Sequence, residues 1–263
     1  MPFANIDSTN MFPQAKKVEF LTLKPGQTVI RILDANAVLY LTHYLEGATV
    51  MCTGDGCPIC QSNERLIVDN PETYKNIKAY SPRIRRYHVN VLDRTLMKVC
   101  PSCNTEMKKI GNSFPAACTN CNTMLLEVKE AQSNKVKVLS RGVQLFEQFN
   151  ALEESVLDDK GNPMPITSYD IVLSVSGTGR QTKITAIPLA NKNEPVNVDE
   201  KSLFDLTKTI IKLNNEEMID LQKGISLRDI FAARGTGEKE DNTEDKTLSL
   251  NVEETVQELF GRG

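Results

Sequence analysis

The chain has 263 residues, a formal net charge of −3, 40% hydrophobic residues and 25% charged residues. This composition is typical of a globular protein with one or two domains. No apolar run reaches the roughly 18 residues that a membrane span needs, and the N-terminus lacks a secretory signal pattern. The seven cysteines, in spacings that suit metal binding, favour a reducing compartment. We therefore expect a cytoplasmic protein with no membrane partner.

The net charge conceals an asymmetry along the chain. Residues 235–263 contain eight acidic and three basic residues, a net of −5, which leaves a net of +2 for residues 1–234. This pattern predicts a mildly basic body followed by an acidic, disordered tail. Such a tail is either a solvated terminus or a segment that meets partner proteins or competes with a polyanion for the body.

The N-terminal half is predicted to form strands after an irregular arm at 1–17. Alternating apolar residues indicate strands at Val18–Leu23, Thr28–Leu33 and Val38–Tyr44, the first two joined by a turn at Lys24–Gln27. A cysteine-rich loop follows at 52–60. Residues 61–78 are predicted to be helical in two pieces, broken at Asn70-Pro71.

The second half alternates between strands and helices. Strands are predicted at Tyr87–Leu92, Lys135–Leu139, Ser168–Val175 and Thr182–Leu189, with a helix at 143–155 and C-terminal helices at 199–213, 215–223 and 226–233. The fold class is therefore mainly β (α+β overall), a small barrel or sandwich. The predicted organisation is an arm (1–17), a body (18–198), a helical segment (199–234) and a tail (235–263).

Two CxxC pairs separated by fourteen residues are the strongest motif in the chain. The ligands are Cys100, Cys103, Cys118 and Cys121. Two such pairs can complete a thiolate tetrahedron, for which zinc is the default ion. All four ligands come from the protein, so the site is structural. Its position between the strands at 87–92 and 135–139 predicts an inserted zinc ribbon at 95–134, at the tip of a hairpin.

A second cluster supplies three thiols, from Cys52, Cys57 and Cys60. A fourth ligand would complete a second zinc site. The two histidines of the chain, His43 and His88, are the candidates, and His43 is preferred because it is closer in sequence. The alternative is three unliganded thiols. A catalytic deaminase-like site is disfavoured, because no H-x-E motif follows His43.

A basic stretch with interleaved tyrosines lies at residues 75–94. Arg83, Arg85 and Tyr87 share one face of a strand by the two-residue period. Cations that track phosphates and rings that stack on bases suit single-stranded nucleic acid. The alternative is a solvated, charged strand. The candidate DNA-binding residues are Tyr44, Tyr80, Arg83, Arg85, Arg86, Tyr87, Arg94, Arg141, Arg180 and Lys183.

The order of these segments resembles that of the single-stranded-DNA-binding proteins of tailed bacteriophages, of the T-even-like helix-destabilising type. The likeness lies in FLTLKPGQTVIRIL, the His43 to CPIC segment, RRYHVNVLDR, the YDIVLSVSGTGRQTKITAIPL hairpin and the acidic tail. The resemblance implies an OB-type barrel and a zinc site of His43, Cys52, Cys57 and Cys60. The inserted ribbon is extra to the family pattern, and no counterpart of the family's basic N-terminal cooperativity motif is present.

The leading hypothesis is a non-enzymatic, sequence-independent binder of single-stranded DNA in phage replication, recombination and repair. The resemblance implies action in the bacterial host cytoplasm, recruitment of phage DNA polymerase, primase or helicase through the tail, and self-association on DNA. The alternative is a zinc-ribbon transcription or replisome interaction factor without a preference for single strands. An enzyme ranks third, because the chain contains no phosphate-binding loop or nucleophile motif.

Overall fold

The structure is a computed structural model that describes residues 18–108, 113–124, 127–177, 181–189 and 196–236. Nine strands are described: β1 (Gly26–Ile32), β2 (Val38–Leu45), β3 (Ala48–Met51), β4 (Ile84–Asp93), β5 (Leu96–Val99), β6 (Lys129–Gln132), β7 (Lys135–Gly142), β8 (Asp170–Ser176) and β9 (Lys183–Pro188). The described helices are α1 (Pro58–Asp69), α2 (Val143–Ser155), α3 (Asn215–Gln222) and α4 (Leu227–Thr236). The fold is mixed α/β, and its strands pair antiparallel.

Strand β4 organises the larger sheet, whose order is β3-β2-β4-β1-β8-β9 with β7 also paired to β4. The first half of β4 pairs with β2, and its second half pairs with β1, while β7 pairs along almost its whole length. Within the described residues β7 and β9 do not pair with each other. The strands therefore form an open sheet there, and no closed barrel is present.

Helix α2 spans the gap between β7 and β9. The side-chain amide of Gln148 donates to Ile184 O (3.0 Å) and accepts from Ala186 N (2.9 Å), so it takes the place of a strand partner at the edge of β9. An unpaired strand edge is a template for association with other chains. Gln148 therefore caps an edge that the open sheet would otherwise expose.

Both faces of the central strands are covered. On one face Val89, Val91 and Leu139 pack with Phe146 and Phe149 of α2. On the other face Val138 packs with Phe204 and Leu206 of the segment that precedes α3. A third apolar cluster joins the β2–β3 hairpin to α1, α3 and α4.

The ribbon extends the β4–β7 hairpin. Asp93 pairs with Lys135 at the end of that hairpin, and β5 and β6 continue it as a separate two-stranded sheet that begins with Leu96 opposite Gln132. Ser133 N donates to Thr95 O (3.0 Å) at the junction. The Cys100–Cys121 segment thus lies at the far end of a long β-ribbon, as the spacing predicted.

Two predicted elements were wrong. Val18–Leu23 is not a strand of a hairpin: Phe20 makes an isolated parallel bridge to Val138, so this segment lies beside β7 and not beside β1. Residues 199–213 are not a helix but contain two short 3-10 turns, at Glu200–Ser202 and Leu206–Lys208. Asp199 and Asp205 cap these turns, and Asn90 holds the backbone of Phe204 in between.

The predicted helix at 143–155 is confirmed residue for residue as α2. Strand β3 was not predicted, and it places Cys52 directly beside β2. The arm at 1–17, Arg180 and the tail from residue 237 onward lie outside the described residues. In the part of the chain that the structure describes, no helix has the length and apolarity required to cross a membrane.

Candidate metal centres and nucleic-acid interface

The first metal centre joins β2, the end of β3 and the start of α1. His43 lies on β2, Cys52 follows β3, and Cys57 is the N-cap of α1 with Pro58 in its first turn. Cys60 lies one turn into the helix. The loop between Cys52 and Cys57 has two glycines at positive φ, Gly54 and Gly56, and it closes with a hydrogen bond from Cys57 N to Gly54 O (3.2 Å). Glycine is the residue that tolerates such backbone angles without strain.

The ligand atoms are spaced as a tetrahedral zinc site requires. His43 Nε2 lies 3.6 Å from Cys57 Sγ and 3.4 Å from Cys60 Sγ, and Cys52 Sγ lies 3.8 Å from Cys60 Sγ. Zinc–ligand bonds of about 2.0–2.3 Å in a tetrahedron place sulfurs about 3.8 Å apart and sulfur and nitrogen about 3.5 Å apart. The four donors therefore fit a zinc ion without rearrangement, and the cysteines are not disulfide-bonded.

A buried hydrogen-bond network fixes the ring of His43. Its Nδ1 lies 2.8 Å from Ser81 O, so the Nδ1–H donates there and Nε2 is left as the metal ligand. Ser81 is held in turn by Asn63 of α1, which donates to Ser81 O (2.5 Å) and accepts from Ser81 N (3.0 Å). Such partners orient metal-bound histidines and strengthen their binding. No local pattern indicates this role for Asn63 or Ser81, because they are 18 residues apart in the chain.

The protonation of these groups also suits a metal cation. Burial lowers the pKa of His43 and so favours the neutral ring that binds metal. Burial alone would raise the pKa of Cys57, but backbone N–H groups of Cys60 and Ile59 lower it, and the net shift is downward. Burial and the two neighbouring thiols raise the pKa of Cys60 to about 12. A cation among the three sulfurs would offset their mutual repulsion, as metal binding normally does.

His88 does not belong to this centre. It is buried between β4, β7 and the segment before α3, where Nδ1 lies 2.6 Å from Thr209 Oγ1 and Nε2 lies 2.9 Å from Ser140 Oγ. Burial, aided by the charge of Arg86, lowers its pKa to about 4. The geometry therefore decides between the two histidines in favour of His43, and His88 is a neutral core residue.

The second centre is the four-cysteine site of the ribbon. Cys100 Sγ lies 3.7 Å from Cys121 Sγ, and Cys103 Sγ lies 3.6 Å from Cys118 Sγ. All four sulfurs lie within 4.8 Å of one another, which again fits tetrahedral zinc. Four protein ligands leave no position for a substrate. Both centres therefore have the donor sets of structural zinc sites, which would cross-link loops that lack a large apolar core.

The two knuckles of the ribbon are a short internal repeat, CPSCNT and CTNCNT. In each, the asparagine after the second cysteine adopts positive φ, with values of 55° for Asn104 and 54° for Asn122. In each, the following threonine hydroxyl lies 3.2 Å from the second cysteine sulfur, at Thr105 and Thr123. The Thr105 hydroxyl, donated to the thiolate, lowers the pKa of Cys103 to about 6. The CxxCNT repeat is present in the sequence and marks both knuckles beyond the cysteine spacing alone.

Apart from the metal centres, the structure exposes a strip on one face of β2, β4 and β7. Cross-strand register places Leu39 opposite Tyr87 and Tyr87 opposite Arg141, and it places Leu41 opposite Arg85. Leu39 and Leu41 are 48% and 37% exposed. We call these five residues the β2–β4–β7 strip. The strip lies between the core beneath α2 on one side and the His43 centre on the other.

Four arginines lie in or near this strip. Arg85 and Arg141 belong to it, Arg83 lies just before β4, and Arg86 lies on the opposite face of β4, opposite Tyr40. Within the described chain none of them forms an ion pair. Burial lowers the pKa of Arg86, and burial together with the charge of Arg86 lowers the pKa of Arg141. Residues 79–88 contain no acidic side chain. Arg141 is thus a partly desolvated cation on the face of the strip, without an ion pair among the described residues, and such a cation favours an anionic ligand.

The other predicted DNA contacts are placed in different surroundings. Arg94 lies at the opposite end of β4, and its Nε pairs with Asp170 Oδ2 (3.0 Å) beside the buried Arg31. Lys183 is on the outer face of β9, at the sheet edge away from the strip. Arg94 and Lys183 therefore lie outside the strip.

The three candidate tyrosines also lie in different surroundings. Tyr87 is half-buried and already stacks on Phe146, with ring centroids 4.9 Å apart. Tyr44 is 44% exposed but lies on the other face of β2. Tyr80 packs edge-on against Tyr74, which also carries Lys75 over its ring. The sequence pattern did not indicate that Leu39 and Leu41 are exposed, because their exposure depends on where α1 and α2 end and not on local sequence.

Comparisons with known proteins do not assign a family. A scan against protein-family models gave no match, and a search of curated proteins gave none.

Proposed function

We propose that the protein is a non-enzymatic, sequence-independent binder of single-stranded DNA. The observation that carries this proposal is a set of three arginines, Arg83, Arg85 and Arg141, in or beside an exposed apolar and aromatic strip, which form no ion pair within the part of the chain that the structure describes. Cations flanking an apolar surface suit an unpaired strand, whose phosphates meet the cations while its bases meet the apolar side chains. A duplex keeps its bases stacked inside, and it would gain little from the leucines.

The arrangement of strands supports an OB-type architecture for this proposal. Strands β7, β4, β1, β8 and β9 form a five-stranded antiparallel path whose two ends are bridged by α2. OB folds are five-stranded, partly open barrels that bind oligonucleotides on the face of the second and third strands. In chain order β4 and β7 are the second and third of these five strands, and they carry Arg85, Tyr87 and Arg141.

Under this proposal the zinc centres hold the interface in shape. The Ser81 carbonyl that orients His43 is two residues before Arg83 and four before Arg85. Arg83 is close enough for its charge to lower the pKa of His43. A metal at the His43 centre would therefore anchor the start of β4, where Arg83 and Arg85 lie. The ion would act as a cross-link and would take no part in a reaction.

The biological setting follows from the resemblance described above. We propose action in phage DNA replication, recombination and repair in the host cytoplasm, with the acidic tail recruiting polymerase, primase or helicase and with self-association on DNA. The test of the binding function is fluorescence anisotropy with oligo-dT and with a duplex of equal length. Preference for the single strand, with affinity that falls as salt rises, supports the proposal. Equal or no binding to the two would refute it.

A second candidate function is docking on another protein through the ribbon. It is favoured by two large apolar side chains of the ribbon that are exposed, Leu96 at 62% and Met124 at 73%. A protein that acts only by docking through this surface would show no preference between single-stranded and double-stranded DNA. Substitution of Leu96→Ser and Met124→Ser would leave DNA binding unchanged under the first function and would abolish partner binding under the second.

A further inference from the structure

The two exposed leucines of β2 mark a base-contacting surface that the sequence did not single out. Large apolar side chains are normally exposed singly, and those cases need no explanation. Leu39 and Leu41 differ because they lie two residues apart on one face of a strand, next to cations on the neighbouring strand. Neither is covered by α1 or α2, although the adjacent positions on the same face, Val89 and His43, are buried.

Resting on the proposed function, we propose that Leu39 and Leu41 bind two successive unpaired bases of the strand. Register gives two rows across the sheet, one formed by Leu39, Tyr87 and Arg141 and the other by Leu41 and Arg85. Each row thus joins an apolar side chain on β2 to a cation on β4 or β7. A nucleotide laid along a row would place its base on the leucine and its phosphate at the arginine.

The spacing of the rows determines the form of the bound strand. Side chains two residues apart on a strand are separated by about 6.8 Å. Stacked nucleotides rise by about 3.4 Å per residue of each strand. The rows therefore match bases drawn to roughly twice their stacked separation, so the bound strand is extended and its neighbouring bases are unstacked. A duplex cannot meet this spacing without losing its base pairs.

Charge complementarity identifies a nucleic acid strand as the occupant. Residues 38–45, 84–88 and 140–142, which form the strip and its borders, include three arginines and no acidic residue. Two of these arginines, Arg85 and Arg141, lie on the face of the strip. An apolar segment of another protein would leave the partly buried Arg141 without a counterion. A polyphosphate without bases would leave the leucines in water. Only a strand with unpaired bases satisfies both groups.

The leucines should act on bases and not on the backbone, and this distinction can be measured. We would compare the affinity of the full chain for oligo-dT and for an abasic oligonucleotide of equal length, in the wild type and in the Leu39→Ala, Leu41→Ala and double variants. Each single substitution should weaken oligo-dT binding by roughly fivefold, because half of a leucine side chain is buried by the base. The abasic strand should bind all variants within about twofold of the wild type, since it offers no base to bury.

Controls separate this inference from the function on which it rests. Leu157→Ala, which removes a leucine that is 52% exposed outside the strip, should change neither affinity. Far-ultraviolet circular dichroism and thermal unfolding would verify that the variants fold. If the wild type does not bind oligo-dT, the proposed function fails and the inference fails with it. If the wild type binds and the double variant binds equally well, or weakens equally on the abasic strand, only the inference is overturned.

Discussion

The arginines in and beside the β2–β4–β7 strip make a quantitative prediction about salt. If Arg83, Arg85 and Arg141 each neutralise one phosphate, the slope of log affinity against log salt should be about −2.1, from about −0.7 per phosphate of a single strand. Between 50 and 200 mM salt this slope corresponds to roughly a 20-fold loss of affinity. Each Arg→Gln substitution should make the slope shallower by about 0.7.

The measurement is a series of anisotropy titrations with labelled oligo-dT at four or more salt concentrations. Arg228→Gln on α4 is the matched control, because Arg228 is an exposed arginine that is not on a strand of the strip. Its slope should equal that of the wild type. A wild-type slope near zero, or an equal change in the control and in Arg85→Gln, would refute the assignment of these arginines to phosphates.

Three further predictions concern stability and metal. The pKa of His88 is lowered to about 4 from an ordinary 6.5, so its neutral form stabilises the fold fully above pH 6.5. As the pH falls toward 4, the free energy of unfolding should decrease by about 3 kcal/mol. Urea unfolding at several pH values should show a weaker pH dependence in His88→Gln than in the wild type. Asn63→Ala should weaken the His43 centre by about 10- to 100-fold, measured by competition with a chromophoric chelator. Gln148→Ala should cost about 1–3 kcal/mol in urea unfolding, because it leaves the edge of β9 without its partner.

Each of these predictions has its own control. The His88 comparison uses the difference between two proteins, so that acid-induced metal loss, common to both, cancels. For Asn63, the four-cysteine site is an internal reference whose metal affinity should not change, and equal weakening of both sites would contradict the proposed role. For Gln148, Glu147→Ala on the exposed side of α2 should leave stability within about 0.5 kcal/mol. A loss as large in this control would mean that a general effect of substitution on α2, and not the loss of the edge cap, is responsible.

Local patterns predicted those elements whose residues decide their own conformation. Helix α2 was predicted to the residue, because its apolar positions follow the helical period and a glycine precedes it. The hairpin of β4 and β7 was predicted from the apolar alternation on each side of the ribbon. The failures were elements that depend on distant partners. Phe20 pairs with Val138 in place of the nearby β1, and Asn90 holds the backbone of Phe204 in a turn where helical spacing alone indicated a helix.

In the candidate site too, residues set by local sequence were predictable and those that depend on distant partners were not. The metal ligands were predictable, because CxxC spacing is a local requirement of coordination geometry. The fourth ligand was open until β2 and β3 brought His43 beside Cys52 and Cys57, while His88 entered the core. The interface was predicted only as a charge pattern. Strand register determines which of its residues share a face of the sheet. Arg85 and Tyr87 lie on the same face, whereas Arg94 and Lys183 lie elsewhere.

The most direct test of the central claim is to map where a single strand contacts the protein. Oligo-dT containing 5-iododeoxyuridine would be cross-linked to the full chain by ultraviolet light, and the attached peptides would be identified by mass spectrometry. The account predicts attachment within β2 and the first half of β4, at or beside Tyr87, and loss of that attachment in excess unlabelled oligo-dT. Attachment confined to the ribbon between Cys100 and Cys121, or to the outer face of β9, would contradict it.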